Sequence, residues 1–288
     1  MDNFELNNKP AYQEEEILDL KGIIIKVLSY WYLFVIGLVI AIFAGYIYNR
    51  YTPKVYQVSA SLYIKEDKMT LDPTSMMTGL TFKSSNNISN EIGILQSFTM
   101  KERTLEELEF FNVSYFNTGR VTTSELYTQT PFFVELDYDT TQTVGIKYMI
   151  DFIDQNQYRL KTIEQKCPTY NYIKNENVGF ISIQETERVY QLGEIVDNGY
   201  NRFCIVLNGN YNPEAYKDSK LSFVINSKLS LAGEMSGLSI SQITKESSII
   251  RLTLQGYNRQ KITDYLNQLL EEYLERNLEQ KNIVSENT

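Results

Sequence analysis

VLSYWYLFVIGLVIAIFAGYIYN, residues Val27–Asn49, contains no charged side chain between Lys26 and Arg50. At about 1.5 Å of rise per residue it makes a helix of roughly 35 Å, enough to cross a hydrocarbon core of about 30 Å. Tyr30, Trp31 and Tyr32 lie near its start, and Tyr46, Tyr48 and Tyr51 near its finish. Rings with an apolar body and a polar tip settle at the headgroup level, so these residues are the expected interface anchors. A buried core helix rarely sustains so long an apolar run. A signal peptide carries a shorter one, closer to the N-terminus and followed by a small-residue cleavage site. The stretch therefore reads as a transmembrane helix over 27–49, with membrane lipid as its surroundings. Lys21 and Lys26 before it balance Arg50 and Lys54 after it, so flanking charge does not orient it.

Within this span Gly37, Ala41 and Gly45 recur every fourth residue. That spacing lines small side chains along one helix face and lets a second helix approach closely. Gly and Ala are also common in membrane helices generally, so the line marks a candidate packing face.

The remaining composition narrows the chemistry. The chain has 288 residues and a formal charge of −9. No basic stripe for nucleic acid is present. There is no histidine, which removes His-activated nucleophiles and the commonest transition-metal ligand. Cys167 and Cys204 have no zinc-ligand spacing; one disulfide and two unpaired thiols are both open readings. The 22 tyrosines are first read as sheet and interface residues, because aromatic rings suit pleated, half-buried surfaces.

Taken in order, residues 1–15 are polar and expected to be disordered. Ile17, Leu20, Ile24, Val27 and Leu28 share a helical face leading into the span. After the span, Val58, Ala60, Leu62 and Ile64 alternate with polar residues, which predicts a strand over 55–65. Residues 66–87 read as a loop with one packed turn around Met76, Met77 and Leu80. Two helices follow in 90–115, separated at Ser97 and Phe98, with Thr99 and Glu102 as a capping box for the second. Residues 120–218 alternate in short strands punctuated by Gly and Asn-Gly, which predicts a small sandwich or barrel with hairpins at Asn198-Gly199 and Asn208-Gly209. Strands are expected at 220–226 and 248–256. Asn258 is placed to cap a final helix whose apolar stripe is Ile262, Leu266, Leu269 and Tyr273, thickened by Tyr265, Leu270 and Leu274. That helix stops in mid-pattern at Thr288, which reads as a helix continuing in a longer protein.

The fold class is therefore α+β: one N-terminal transmembrane helix, a membrane-proximal mixed α/β domain, an inserted β-rich subdomain and a C-terminal helix. The expected boundaries are 1–26 for the tail, 27–49 for the span, 50–118 with 219–288 for the membrane-proximal domain, and 119–218 for the insertion. No phosphate-binding loop G-x-x-x-x-G-K-[ST] and no G-x-S-x-G elbow occurs. Glu106–Glu107 and Glu271–Glu272 are adjacent on helices and diverge. Asp137 and Asp139 supply too few oxygens for a hard cation. No catalytic residue, metal site or cofactor is expected in these residues.

The order of parts resembles the polysaccharide co-polymerase or chain-length-determinant family, within it the N-terminal half of a capsular or exopolysaccharide-export tyrosine autokinase of Bacteroidetes type. The residues that carry the resemblance are the span with RYTPKVYQVSASL (Arg50–Leu62), the NEIGILQS helix (Asn90–Ser97) and LTLQGYNRQKITDYLNQLLEEYLERNLEQKN (252–282). It covers about 15–117 and 219–288. The resemblance implies a bacterial inner-membrane protein with a cytoplasmic N-terminus and a periplasmic main domain. It further implies ring-forming homo-oligomers that work with an inner-membrane polysaccharide polymerase and an outer-membrane exporter to set glycan chain length. In the kinase branch a second span and a kinase domain follow. No kinase motif has a counterpart here. Asn90, Glu91, Ile94 and Gln96 are the candidate subunit contact, with packing inside the chain as the other reading. An extracytoplasmic ligand sensor of a single-pass signalling protein is the competing function, and a secretion adaptor the third.

Overall fold

Alternate residues of β1 (Tyr56–Tyr63) face inward, with Val58 and Leu62 packed on a core and Ile64 buried just beyond the strand. Its partner is not a sequence neighbour. In the computed structural model, which describes residues 25, 28–64, 85–119, 121–209, 216, 219–244 and 247–286, β1 pairs antiparallel with β15 (Ile249–Gly256), from Tyr56↔Gly256 to Tyr63↔Ile249. With β14 (Ser239–Gln242) they form a three-stranded sheet, order β1-β15-β14. In β15, Ile250, Leu252 and Leu254 are buried while Arg251 points to solvent. This period of two places one face on the core and leaves the other to water.

Two units are distinguished, Met1–Thr52 and Pro53–Thr288. The first contains α1 (Trp31–Tyr51), none of whose residues is buried within the chain. It is long and apolar enough to cross a membrane. Thr52 ends it, its Oγ1 donating to Tyr48 O at 2.7 Å.

In the second unit, four helices contribute to the core behind the small sheet: α2 (Ser85–Gln96), α3 (Phe98–Glu106), α4 (Lys228–Glu234) and α5 (Arg259–Glu286). Asn258 caps α5, its Oδ1 accepting from Lys261 N at 3.1 Å. Ile262, Tyr265, Leu266, Leu269 and Tyr273 are buried as the periodicity predicts. Leu274 is a correction: it is 52% exposed, because it lies beyond the edge of the buried stripe.

A second core collects side chains from Val113 to Ile225. A six-stranded antiparallel sheet supplies one wall, order β10-β7-β6-β13-β2-β3. Its strands are β2 (Val113–Thr118), β3 (Thr123–Glu125), β6 (Lys147–Phe152), β7 (Gln157–Thr162), β10 (Thr186–Gln191) and β13 (Lys220–Ile225). Two three-stranded sheets contribute the rest. One joins β4 (Phe132–Leu136), β11 (Ile195–Asp197) and β12 (Arg202–Leu207); the other joins β5 (Gln142–Thr143), β8 (Gln165–Asn171) and β9 (Glu176–Ile183). Tyr148 stacks on Phe223 at 4.9 Å and meets Phe203 edge-on at 5.7 Å. Its hydroxyl accepts from buried Asn201 Nδ2 at 2.8 Å. Tyr115, Tyr148, Tyr158, Tyr170 and Tyr172 are all buried here; all but Tyr158, whose hydroxyl has no hydrogen-bond partner among the described residues, are core residues with a hydrogen-bonding tip.

The Asn198-Gly199 hairpin forms between β11 and β12, with Gly199 at φ +81 and Asn198 Oδ1 accepting from Asn201 N. The arm expected after Asn208-Gly209 falls on residues 210–218, most of which lie outside the described residues; among those described, β12 pairs with β11 and β4, while β13 pairs with β2 and β6. Asn208 bonds backward, its Nδ2 donating to Thr130 O at 2.8 Å. Both edges of β13 are occupied by other strands, β2 and β6. Cys167 and Cys204 are free thiols in different sheets. The amphipathic face from Ile17 to Val27 and the turn around Met76, Met77 and Leu80 lie outside the described residues.

One ionic cluster joins β3 to the first core. Lys261, with only 4% of its side chain exposed, donates from Nζ to Glu125 Oε1 at 2.8 Å and to Glu234 Oε1 at 3.1 Å. The ammonium also sits 5.6 Å from the Phe111 ring centroid. Burial alone pulls the lysine pKa down; Glu125 and then Glu234 push it up, and the net direction is up. Replacing Lys261 with Met leaves Glu125 buried without a cation, at a cost of about 3–5 kcal/mol. A folded pKa above the unfolded one means the stabilisation is complete below about pH 10.4 and is lost as pH rises through the folded value. Denaturant titrations should therefore show a wild-type advantage over K261M that is steady near neutrality and shrinks in strong alkali. A difference under about 1 kcal/mol at pH 7 contradicts this account.

Candidate functional site

The residues singled out from the sequence fall in two places. Along α1, Trp31 and Tyr48 lie about 26 Å apart at helical rise, and Tyr30, Trp31, Tyr32, Tyr46 and Tyr48 are all exposed. Tyr30 and Tyr32 have ring centroids 6.1 Å apart. The two aromatic groups are thus separated by nearly the thickness of a hydrocarbon core. Gly37, Ala41 and Gly45 share a face by their four-residue spacing, and a Cβ built on Gly37 or Gly45 meets nothing within 4 Å.

The second group is on α2. Asn90 and Gln96 are exposed, while Ile94 packs against the first core. Glu91 is engaged within the chain, its Oε2 accepting from Tyr273 Oη of α5 at 3.0 Å. The helix break falls where expected but its chemistry differs. Ser97, not Thr99, caps α3: its Oγ accepts from Met100 N at 3.2 Å and donates to Ile94 O at 2.7 Å. The Thr99–Glu102 capping box is thereby corrected. The chain turns at Ser97, so Thr99 is already inside the first turn, and Ser97 satisfies an amide that the helix leaves open.

Where α2, α3 and α5 meet, they border an open cleft of about 570 Å³ with Asn90, Ile94, Ser97, Thr99, Arg103 and Arg276 on its walls. Sequence reasoning found Asn90 and Ile94 but missed both arginines, which lie on two helices far apart in the chain. Arg103 Nε is 3.9 Å from Glu272 and its Nη2 is 3.6 Å from Glu279. Desolvation is the largest influence on Glu272 and holds its carboxyl above the usual range, with Gln268 and Arg103 pulling it down and Glu275 and Glu107 pushing it up. Asp137 belongs to neither group. Its Oδ1 accepts from Asp139 N at 3.1 Å and its Oδ2 pairs with Arg202 at 3.3 Å. Among the described residues no three His, Cys, Asp or Glu side chains are grouped to hold a metal ion.

No protein-family model matches the chain. It is similar to a tyrosine-protein kinase, ptk, of Acinetobacter johnsonii, with 22% identity over 277 residues, 93% of this chain. The chain spans about a third of that relative's length, 36%.

The reassigned cap is open to a direct test. Ser97→Ala should lower stability by about 1 kcal/mol, within the range for a lost N-cap. Thr99→Ala, at an exposed first-turn position, should change it by less than about 0.5 kcal/mol. Thermal or denaturant unfolding of the two variants side by side distinguishes the assignments: a larger loss for Thr99→Ala restores the capping box.

Proposed function

We propose that this chain is a membrane-anchored, oligomer-forming scaffold that regulates polysaccharide chain length and export, the non-kinase part of a tyrosine autokinase system. The carrying observation is its similarity, across nearly its whole length, to about a third of a tyrosine-protein kinase. The apolar helix α1 near the N-terminus supports the same reading. On this reading α1 sits in the bacterial inner membrane with the N-terminus in the cytoplasm and the Pro53–Thr288 unit in the periplasm. The mechanism is geometric. Subunits stand side by side in a ring and hold an inner-membrane polymerase and an outer-membrane exporter in relation to the growing glycan.

Two surfaces carry assembly on this proposal. Gly37, Ala41 and Gly45 form the face on which α1 meets another span, where close backbone approach supplies packing that lipid cannot. Asn90, Glu91, Ile94 and Gln96 supply the contact outside the membrane, Asn90 and Gln96 from exposed positions and Glu91 and Ile94 by holding α2 to its own core.

Two measurements test this. The mass of the purified protein in detergent should exceed that of one chain; a strict monomer at every concentration rejects the scaffold. Leu at both Gly37 and Gly45 should leave membrane insertion intact and raise the concentration for half-assembly by about tenfold or more, the loss of roughly 1.4 kcal/mol of packing. Unchanged assembly of that double variant reduces α1 to an anchor.

A further inference from the structure

The solvent face of the β1-β15-β14 sheet and the outer side of α5 complement each other in charge and polarity. We propose that α5 of one copy of this chain lies across that sheet face of the next copy. The inference rests on the scaffold reading and deepens it by naming one contact between subunits.

The inner face of the sheet is covered from within the chain, where α5 packs on β1 and β15. The opposite face is open. At one end of it Tyr63, Ile249 and Ile243 line up across the three strands: Tyr63 pairs with Ile249, and Ile243 N donates to Ile249 O at 3.1 Å. They are 67%, 37% and 44% exposed, an apolar row in water. The next row is Ser61, Arg251 and Ser241, all exposed. The paired rows beyond carry only serine, threonine and glutamine side chains, so Arg251 is the single charge among the described residues of this face. Among the described residues no carboxylate forms an ion pair with it.

α5 has a buried stripe, from Ile262 to Tyr273, that serves its own core. Leu274 and Leu278 lie outside that stripe, 52% and 63% exposed, one helical turn apart. Glu271 and Glu275, both exposed, accompany them. Steps of three, one and three residues put all four on one side of the helix. Neither glutamate has a cation at ion-pair distance among the described residues.

Charge selects which faces meet. Two α5 faces brought together would oppose four carboxylates, and two sheet faces would oppose two guanidinium groups; like charges in contact disfavour both pairings. Helix on sheet sets Arg251 against Glu271 and Glu275, and the two leucines against Tyr63, Ile249 and Ile243. The sheet then has a helix on each face, an ordinary layered arrangement. Each copy uses a different surface toward its two neighbours, so the contact is heterologous and repeats until its rotation closes a ring.

The test measures assembly of the full chain in detergent, by mass against concentration. Arg251→Glu alone, and Glu271→Lys with Glu275→Lys, should each raise the concentration for half-assembly by about tenfold or more. Combining all three restores opposite charges and should bring it back to within about threefold of wild type. Leu274→Ser with Leu278→Ser, at exposed positions, should weaken assembly without lowering the unfolding temperature. A wild-type chain that never assembles overturns the scaffold reading and this contact together. A wild-type oligomer whose assembly is unchanged by Arg251→Glu, is strengthened by the glutamate variants, or is not recovered in the combined variant overturns this contact and leaves the scaffold reading standing.

Discussion

Pairing of β1 with β15 is the constraint on which the Pro53–Thr288 unit depends. Ser59 Oγ and Thr253 Oγ1 meet at 3.1 Å although 194 residues separate them, and the Gln57 and Gln255 side chains meet at 3.0 Å. Everything between is a closed loop whose ends are held by one ladder. Closure entropy grows only logarithmically with loop length, so a whole second core can be housed inside it at modest extra cost. The ladder must then be secured by burial, and it is: Ile250, Leu252 and Leu254 are almost fully enclosed under the helices.

Aromatic and polar side chains tie the second core to the first. Phe110 packs against both, meeting Tyr127 at 5.2 Å and Phe133 at 5.5 Å. Tyr127 has φ +52, a left-handed conformation that is uncommon for a bulky residue and is kept only where its surroundings determine it. Here they do. Its hydroxyl donates to Asp264 Oδ2 of α5 at 2.8 Å, and Phe110 and Phe111 meet its ring edge-on. With Lys261 bonded to Glu125 two residues away, both contacts run from β3 and its exit to the first turns of α5.

Local rules of period and capping made most elements legible. The alternation of β1 and β15, the Asn258 cap, the buried stripe of α5 and the Gly199 turn all follow from neighbours in sequence. The misplaced Thr99 cap came from a motif match two residues late. The partners of β13, the distant strands β2 and β6, are set by tertiary pairing that no local pattern reveals. The Arg103–Arg276 cleft was invisible for a different reason. An isolated arginine on a polar helix face reads as solvated, and only the packing of α3 against α5 shows that these two share a space. The absence of histidine and of phosphate-binding loops directed the reading of function toward assembly.

The length of α5 has a mechanical meaning. Asp264 engages the turn after β3, and Tyr273, about 14 Å further along the helix axis, engages Glu91 of α2. A helix is stiff along its axis, so these two bonds are bolted to one rod. A slip of α5 by a single residue, about 1.5 Å, strains both together. The two bonds thus fix α5 at two points along its axis, one toward the turn after β3 and one toward α2.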